Sequence, residues 1–457
     1  MRRKDVDMLS GSITKGLLAI GIPVMIMNVV QSLFNIIDMT TLKTFDTGDG
    51  MAVGAVGVCG VLITMITGLV IGIATGANVI VARNIGRRDP EGIDRSIGAS
   101  MALALALSAA LVVIGVGGAE FFLRLTNCPE ELLEQATLYF RMYFAGTPLL
   151  MLYNFCAAIM RANGDSRRPM IYLTTGGALK VALSFLFVGY FRMGVMGVAL
   201  STIISWSTSL ILALWTLLHS KSTVKIRIKN IGFYKEETKQ ILKVGIPAGL
   251  QQVLYSVVNV VISATVNSFG PAATTGMSIA NNYDGLTYQF CTAASYAVMP
   301  YVSQNVGAGN IKRAVSSVGK GILITICFGL PIGGLFAIFS GPLASIMSND
   351  PVAIGYAQEK MILVSSTYFV CGIYHIFGDA LRGMGKPMAA TITTLLFMCL
   401  LRFVWVAWIF PLCPNLIFLY LVWPVGWVLS IITLGTIMIF AVKKLKQKHG
   451  NISTVAE

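Results

Sequence analysis

Uncharged apolar stretches, each about as long as a bilayer is thick, alternate along this chain with short polar segments. The first reads GLLAIGIPVMIMNVVQSLFNII, residues 16–37, between Lys15 and Asp38. As a helix it would extend about 33 Å, enough to cross a hydrocarbon core. Asn28, Gln31, Asn35 and Asp38 mark it at spacings of three, four and three, which puts them on one helical face. A lipid-facing helix has no use for such a stripe. It is either a polar seam against another helix or the wall of a wet cavity, and the carboxylate at its end favours the cavity.

Apolar spans of this kind fall at 16–38, 53–81, 96–119, 136–160, 169–190, 193–218, 244–267, 271–303, 322–346, 356–381, 388–411 and 415–442. That pattern predicts an all-α integral membrane protein of twelve transmembrane helices. The apolar run from Val244 to Tyr283 is too long for one crossing, and Ser268-Phe269-Gly270-Pro271 marks a turn inside it. The opening MRRKDVDMLSGS resembles the charged start of a signal peptide. The apolar part is too long for one, however, and no small-residue cleavage site follows, so it reads as an uncleaved first span.

The chain repeats itself. Gly21-Ile22-Pro23 returns as Gly245-Ile246-Pro247, and Asn35 falls on Asn259 at the same offset. Arg83-Asn84-Ile85-Gly86 returns as Gln304-Asn305-Val306-Gly307, and Arg161-Ala162-Asn163-Gly164 as Arg382-Gly383-Met384-Gly385. Pro169-Met170 then returns as Pro387-Met388. Shared words in one order at a nearly constant offset mean duplication. Six spans is an even number, so both halves start on the same side and are parallel repeats. The expected organisation is an N-terminal six-helix lobe at 1–220, a cytoplasmic linker at 221–243, and a C-terminal six-helix lobe with a cytoplasmic tail at 244–457. The linker carries seven basic residues and an alternating Val224-Ile226-Ile228 patch, and reads as a tether.

The net charge of +14 raises the question of nucleic acid, and the placement of the charge answers it. With the N-terminus cytoplasmic, 27 of the 34 Lys and Arg residues lie in inner segments. Lys43, Arg124, Arg141, Arg192 and Lys360 fall on the outer side, and Lys180 and Arg402 inside spans. This is the positive-inside pattern, with both termini cytoplasmic and the plasma membrane as location; no nucleic-acid partner is implied. Hydrophobic residues are 55% of the chain and charged residues 12%, against nearer 25% charged in soluble domains. Eight cysteines without a CxxC pair read as buried small hydrophobes. No metal-ligand spacing, phosphate-binding glycine loop or nucleophile motif is present, so the sequence offers no enzyme and implies no cofactor.

The repeated words also carry a resemblance. With Asn35-Ile36-Ile37-Asp38, ARNIGRRDPEGIDR, MRANGDSRRP and LRGMGKP, the chain resembles the multidrug and toxic compound extrusion transporters over nearly its whole length. That implies two six-helix lobes forming a V-shaped cavity. It also implies export of amphipathic organic cations or other drugs in exchange for protons or sodium ions. Asp38 matches the family's first-span acid, and Asn154 and Thr202 match polar residues around it in one branch. In the fifth span this chain departs from that branch, with Lys180 and Ser184 where it has Asn and Asp. The seventh-span acid of sodium-coupled bacterial members is missing too. A mid-membrane lysine needs a partner or water. Lys180 either pairs with Asp38, in the place a sodium ion would take and holding the acid ionised, or snorkels or contacts carbonyls elsewhere. The departures favour the proton as coupling ion.

The second half supplies further candidates. Gln252, Tyr255, Asn259 and Ser263 repeat the first span's stripe without its acid. In the eighth span Asn281, Asp284 and Tyr288 share a face, with Asn282 and Gln289 close by, and a mid-span acid is a functional candidate. In the tenth, His375, Asp379 and Arg382 share a face. Asp379–Arg382 reads as a structural ion pair, and His375 as a proton relay or a satisfied packing residue. The ion-coupling candidates are thus Asp38, Lys180, Asp284, His375 and Asp379. Substrate-binding candidates are Asn28, Gln31, Asn35, Asn154, Thr202, Gln252, Tyr255, Asn259, Asn281, Asn282 and Tyr288. The expected function is proton-coupled multidrug antiport by alternating access, working as a monomer in the lipid bilayer. The rivals are a lipid-linked precursor flippase on a related fold and a non-transporting membrane receptor.

Overall fold

The structure, a computed structural model, describes residues 6–45, 51–126 and 128–453, with the side chains of 35, 36, 38, 39, 43, 51, 53, 61 and 448–453 outside the description. Twelve long helices run through the described residues, and no strand. They are α1 (Ile13–Phe45), α2 (Met51–Arg87), α3 (Pro90–Gly117), α4 (Glu130–Ala162), α5 (Arg167–Tyr190) and α6 (Gly194–Leu218). The second half gives α7 (Lys235–Asn267), α8 (Pro271–Gly307), α9 (Ile311–Ile338), α10 (Pro351–Gly383), α11 (Pro387–Leu412) and α12 (Leu416–Gln447). Eleven are long and apolar enough to cross a membrane. The exception, α8, is 37 residues long, and Thr, Ser, Asn281, Asn282 and Asp284 dilute its apolar surface.

The helix boundaries follow from local chemistry. Gly270, at φ 98°, turns the chain between α7 and α8 in a backbone region that costs glycine nothing. Asp89 caps α3 by accepting from the N–H of Gly92, and Asn310 caps α9 by accepting from the N–H of Arg313. These two caps sit at equivalent positions of the repeat, as do Asn84 and Asn305. The Asn84 side chain donates to the carbonyl of Gly92. That of Asn305 donates to the carbonyls of Met8 and Tyr301.

The chain divides into two compact units, Met1–Met25 with Gly86–Arg88 and Leu250–Glu457, and Ile26–Ile85 with Asp89–Gly249. In the first, Leu17 and Ile20 of α1 join Tyr301, Ile376, Tyr420 and Trp427 in one core. A Cβ on Gly21 would lie 2.8 Å from the carbonyl oxygen of Ala293, so α1 crosses α8 at backbone contact. Ahead of α1, Arg313 holds the segment at 7–11, donating to the carbonyls of Met8 at 2.9 Å, Gly11 at 3.0 Å and Ser10.

The second unit uses the same device. Gly72 and Gly76 of α2 meet Gly245 and Gly249 of α7. A Cβ on Gly72 would fall onto the Gly249 backbone, and one on Gly76 onto the carbonyl of Ile241. Two pairs of glycines spaced by four allow such an approach, the small-residue crossing common between helices in lipid. Residues after α6 belong to this unit: Val224 and Ile226 pack with Val81, Ile93, Ile97 and Leu217, and Arg227 pairs with Asp94. Ile228, grouped with them by its alternation in sequence, is exposed instead.

Gly72→Val should destabilise the detergent-solubilised protein by about 1–3 kcal/mol, typical of overpacking, seen as a lower unfolding temperature. Gly57→Val, where a Cβ meets nothing, should not. Equal effects would mean the crossing is not tight. A second expectation concerns Asp7, whose carboxyl is held below its ordinary value chiefly by the hydrogen bond from Ser10, with the N–H groups of Leu9 and Ser10 and the charge of Arg313 adding to it. A depressed folded pKa gives stability above the unfolded value that is lost as pH falls through the folded one. Acidification below the ordinary 3.8 should therefore release the Leu9 and Ser10 amides to hydrogen exchange, corrected for its intrinsic pH dependence, and Asp7→Asn should release them at neutral pH.

Candidate functional site

A buried polar cluster lies inside the first unit, where α8, α10 and α12 meet. Asp284 of α8 and Lys360 of α10 are buried, 4% and 1% exposed. The ammonium lies 2.9 Å from Oδ2 of Asp284 and also donates to Oδ1 of Asn281, one turn earlier on α8. The other carboxylate oxygen accepts from the hydroxyl of Ser365 at 2.7 Å. Trp423 and Tyr420 of α12 present their rings 5.6 and 6.0 Å from the ammonium, within reach of cation–π attraction. Asn281 itself is exposed, so the cluster opens on that side.

Backbone geometry explains how Lys360 and Ser365 reach one carboxylate. Five residues of α-helix rotate by about 500°, leaving such a pair roughly 140° apart. In α10, however, Met361–Ser365 is a π-helical turn. Its i→i+5 bonding brings residues five apart onto one face. The wide turn thus makes two donors converge where an ordinary helix would separate them.

Energy makes the arrangement consequential. Each buried ion loses several kcal/mol of hydration, and only a close, hydrogen-bonded partner offsets it. Removing one partner from such a pair costs about 3–5 kcal/mol, because it strands the other charge.

Two further groups occupy the same unit. Arg402 of α11, fully buried, donates to Oδ1 of Asn259 at 2.8 Å and to the Tyr255 hydroxyl at 3.3 Å. Its guanidinium lies over the Tyr255 ring at 4.8 Å and the Trp423 ring at 5.3 Å, so one indole faces two cations. Arg402 therefore engages two members of the seventh-span stripe. The other group joins Arg382 to Asp379 and to Oε1 of Gln251, both at 2.6 Å. Gln251 reaches the Tyr374 hydroxyl at 3.4 Å, which meets Thr394 at 2.8 Å. His375 packs between Tyr374 and Tyr288 and shares a 3.4 Å hydrogen bond with the latter's hydroxyl.

Of the residues singled out from sequence, Asn281 and Asp284 converge on Lys360, Tyr255 and Asn259 on Arg402, and Tyr288 on His375. Others stay apart. Asn282 is exposed and donates to its own helix at Ser278, and Asn154 and Thr202 donate to the carbonyls of Leu150 and Val198 in theirs. Gln31 and Gln252 are exposed, while Asn28 and Lys180 are half-buried. The side chains of Asn35 and Asp38 lie outside the described residues, and with them the Asp38–Lys180 pair.

One reading needs correction. Lys360, sorted to the outer side by the distribution of positive charge, is buried and paired, so Lys180 and Arg402 are not alone as cations within the spans. The charge count treats a lysine near a span's end as solvated; here an acid on the neighbouring helix holds it inside. The signal lay in its position, directly before Met361-Ile362-Leu363-Val364 and inside the apolar stretch. Ser365, Gln251 and the two α12 aromatics carried none.

The family profile described as MatE matches residues 23–186 and 247–408. The chain is 28% identical over 405 residues to the probable multidrug resistance protein YpnP of Bacillus subtilis, covering 88% of this chain and 89% of that one. It is 24% identical to the FAD transporter of Shewanella oneidensis, covering 84% and 88%. Among solved structures it is similar to the outward-facing conformation of a multidrug resistance MATE family transporter of the MOP superfamily. There the TM-score is 0.89 at 21% identity, over 98% of this chain and all of the other. With both halves matched in register with the internal repeat, the chain belongs to the MatE family, the multidrug and toxic compound extrusion transporters.

Proposed function

We propose that this protein exports amphipathic organic compounds, cationic ones foremost, across the cell membrane in exchange for protons, by alternating access and with both termini cytoplasmic. The observation that carries this reading is the buried Asp284–Lys360 pair, which joins α8 to the membrane-length helix α10. A carboxylate already neutralised by a tethered ammonium offers little to a sodium ion. The proton is the coupling ion this reading assigns to the site.

Protonating Asp284 would leave Lys360 buried without a counter-charge, at the cost of about 3–5 kcal/mol that breaking such pairs carries. Inverting a two-state equilibrium from 1:99 to 99:1 takes about 5.5 kcal/mol. A state in which Lys360 regains water escapes that cost, so a proton on Asp284 biases the equilibrium toward it by up to about 3–5 kcal/mol, and substrate favouring the paired state completes the competition. Asp38 and Lys180 are proposed to act alike in the first half. The contact of Arg402 with Asn259 supports this, since Asn259 is the repeat counterpart of Asn35 and a cation in the eleventh span engages the seventh-span stripe.

Purified protein in proteoliposomes should export a fluorescent organic cation such as ethidium under an imposed proton gradient and not under a sodium gradient. Asp38→Asn, and Asp284→Asn combined with Lys360→Met, should each reduce that export at least tenfold. Sodium-driven export, or export indifferent to these substitutions, would overturn the reading, and no export under either gradient would favour the flippase. In thermal unfolding, Asp284→Asn alone should destabilise by about 3–5 kcal/mol, and adding Lys360→Met should recover most of the loss.

A further inference from the structure

We infer that Lys360 is a built-in occupant of an organic-ammonium site, and that by filling it from within the chain it excludes alkali cations from this acid. The inference rests on the proton-coupled reading above and names the residue that sets its ion selectivity.

The surroundings of the ammonium describe a binding site of definite chemistry. It has one carboxylate oxygen, Oδ2 of Asp284 at 2.9 Å, one amide oxygen, Oδ1 of Asn281, and two aromatic faces, Trp423 and Tyr420. Ring faces attract a soft, weakly hydrated cation, but they offer no lone pairs to a small hard one. Two oxygens and two rings therefore suit an alkylammonium group better than a sodium ion, which needs more oxygen ligands than these.

The walls are held without help from Lys360. Ser365 donates to Oδ1 of Asp284 through the π-helical turn, and Arg402 packs against the Trp423 ring at 5.3 Å. Tyr420 is wholly buried in the core of this unit, and Asn281 is exposed and marks a way in. The ionisable groups around Asp284 are Lys360 and Tyr368 from α10, Tyr420 from α12 and, one turn along its own helix, Tyr288. Lys360 is thus the cation that pairs with it. A tethered ammonium competes from within the molecule at a high effective concentration, so dissolved sodium cannot displace it.

Lys360→Ala removes three methylene-type carbons and the ammonium, the atoms of n-propylammonium. Thermal unfolding of the purified full-length variant in detergent should therefore be followed with propylammonium chloride, with 1-propanol as the neutral counterpart, and with sodium chloride. The two salts are compared at equal chloride concentration. The expected result is a saturable rise of a few degrees in Tm with propylammonium alone. No such rise should appear in the wild type or in Lys360→Ala combined with Asp284→Asn. No effect of propylammonium, or an equal effect of 1-propanol, would overturn the site. Sodium stabilising Lys360→Ala more than propylammonium, or stabilising the wild type in an Asp284-dependent way, would overturn its selectivity. If Lys360→Ala is not recovered folded, extraction in propylammonium against extraction in 1-propanol decides: rescue by the first alone supports the site, and failure in both overturns it. Because the readout is stability, it stands apart from the transport experiment.

Discussion

A charge buried in protein gives up its hydration, and the second half of this chain is arranged around that constraint. Lys360 is tolerable inside the protein because Asp284 and Asn281 sit one turn apart on α8, and because Ser365 occupies the oxygen that the ammonium leaves open. The π-helical turn in α10, the polarity that sets α8 apart from the other long helices, and the aromatic wall from α12 all serve the same pair. Removing either charged partner strands the other, which is why an apparently local cluster bears on the stability of the whole unit.

Close backbone approach is the second organising device, and duplication uses it twice. Gly21 begins the first GIP word and meets the backbone of α8; Gly245 begins the second and meets the backbone of α2. Each compact unit thus takes in the start of a helix whose remainder lies in the other. In lipid no hydrophobic force drives helices together, so dispersion between closely packed backbones has to do so. The glycine spacing of four on both α2 and α7 is the sequence form of that requirement.

Buried cations recur in this unit with different partners. Arg402 has amide, phenol and ring neighbours, whereas Lys360 has a carboxylate. Arginine keeps its proton under all conditions, so its cluster is a fixed positive element. The indole of Trp423 lies within cation–π reach of both clusters, 5.6 Å from the Lys360 ammonium and 5.3 Å from the Arg402 guanidinium.

Periodicity alone determined the class of this protein. The apolar runs are bilayer-length, the repeat is long and ordered, and the polar stripes obey the 3.6-residue helix, so twelve helices in two halves were legible before any coordinate. The same rule made Asp284, Asn281 and Tyr288 legible as one face. It hid Lys360 and Ser365, because it forbids residues five apart from sharing a face, and because counting charges by side treats every lysine near a span's end as solvated. The convergence of Trp423 and Tyr420 on the ammonium was equally invisible, since aromatic residues in an apolar helix carry no mark of what they touch. Helix pattern is local and written in the order of residues. Which charge meets which acid depends on a one-turn change of backbone winding and on contacts between helices far apart in the chain, and only the packed structure decides that.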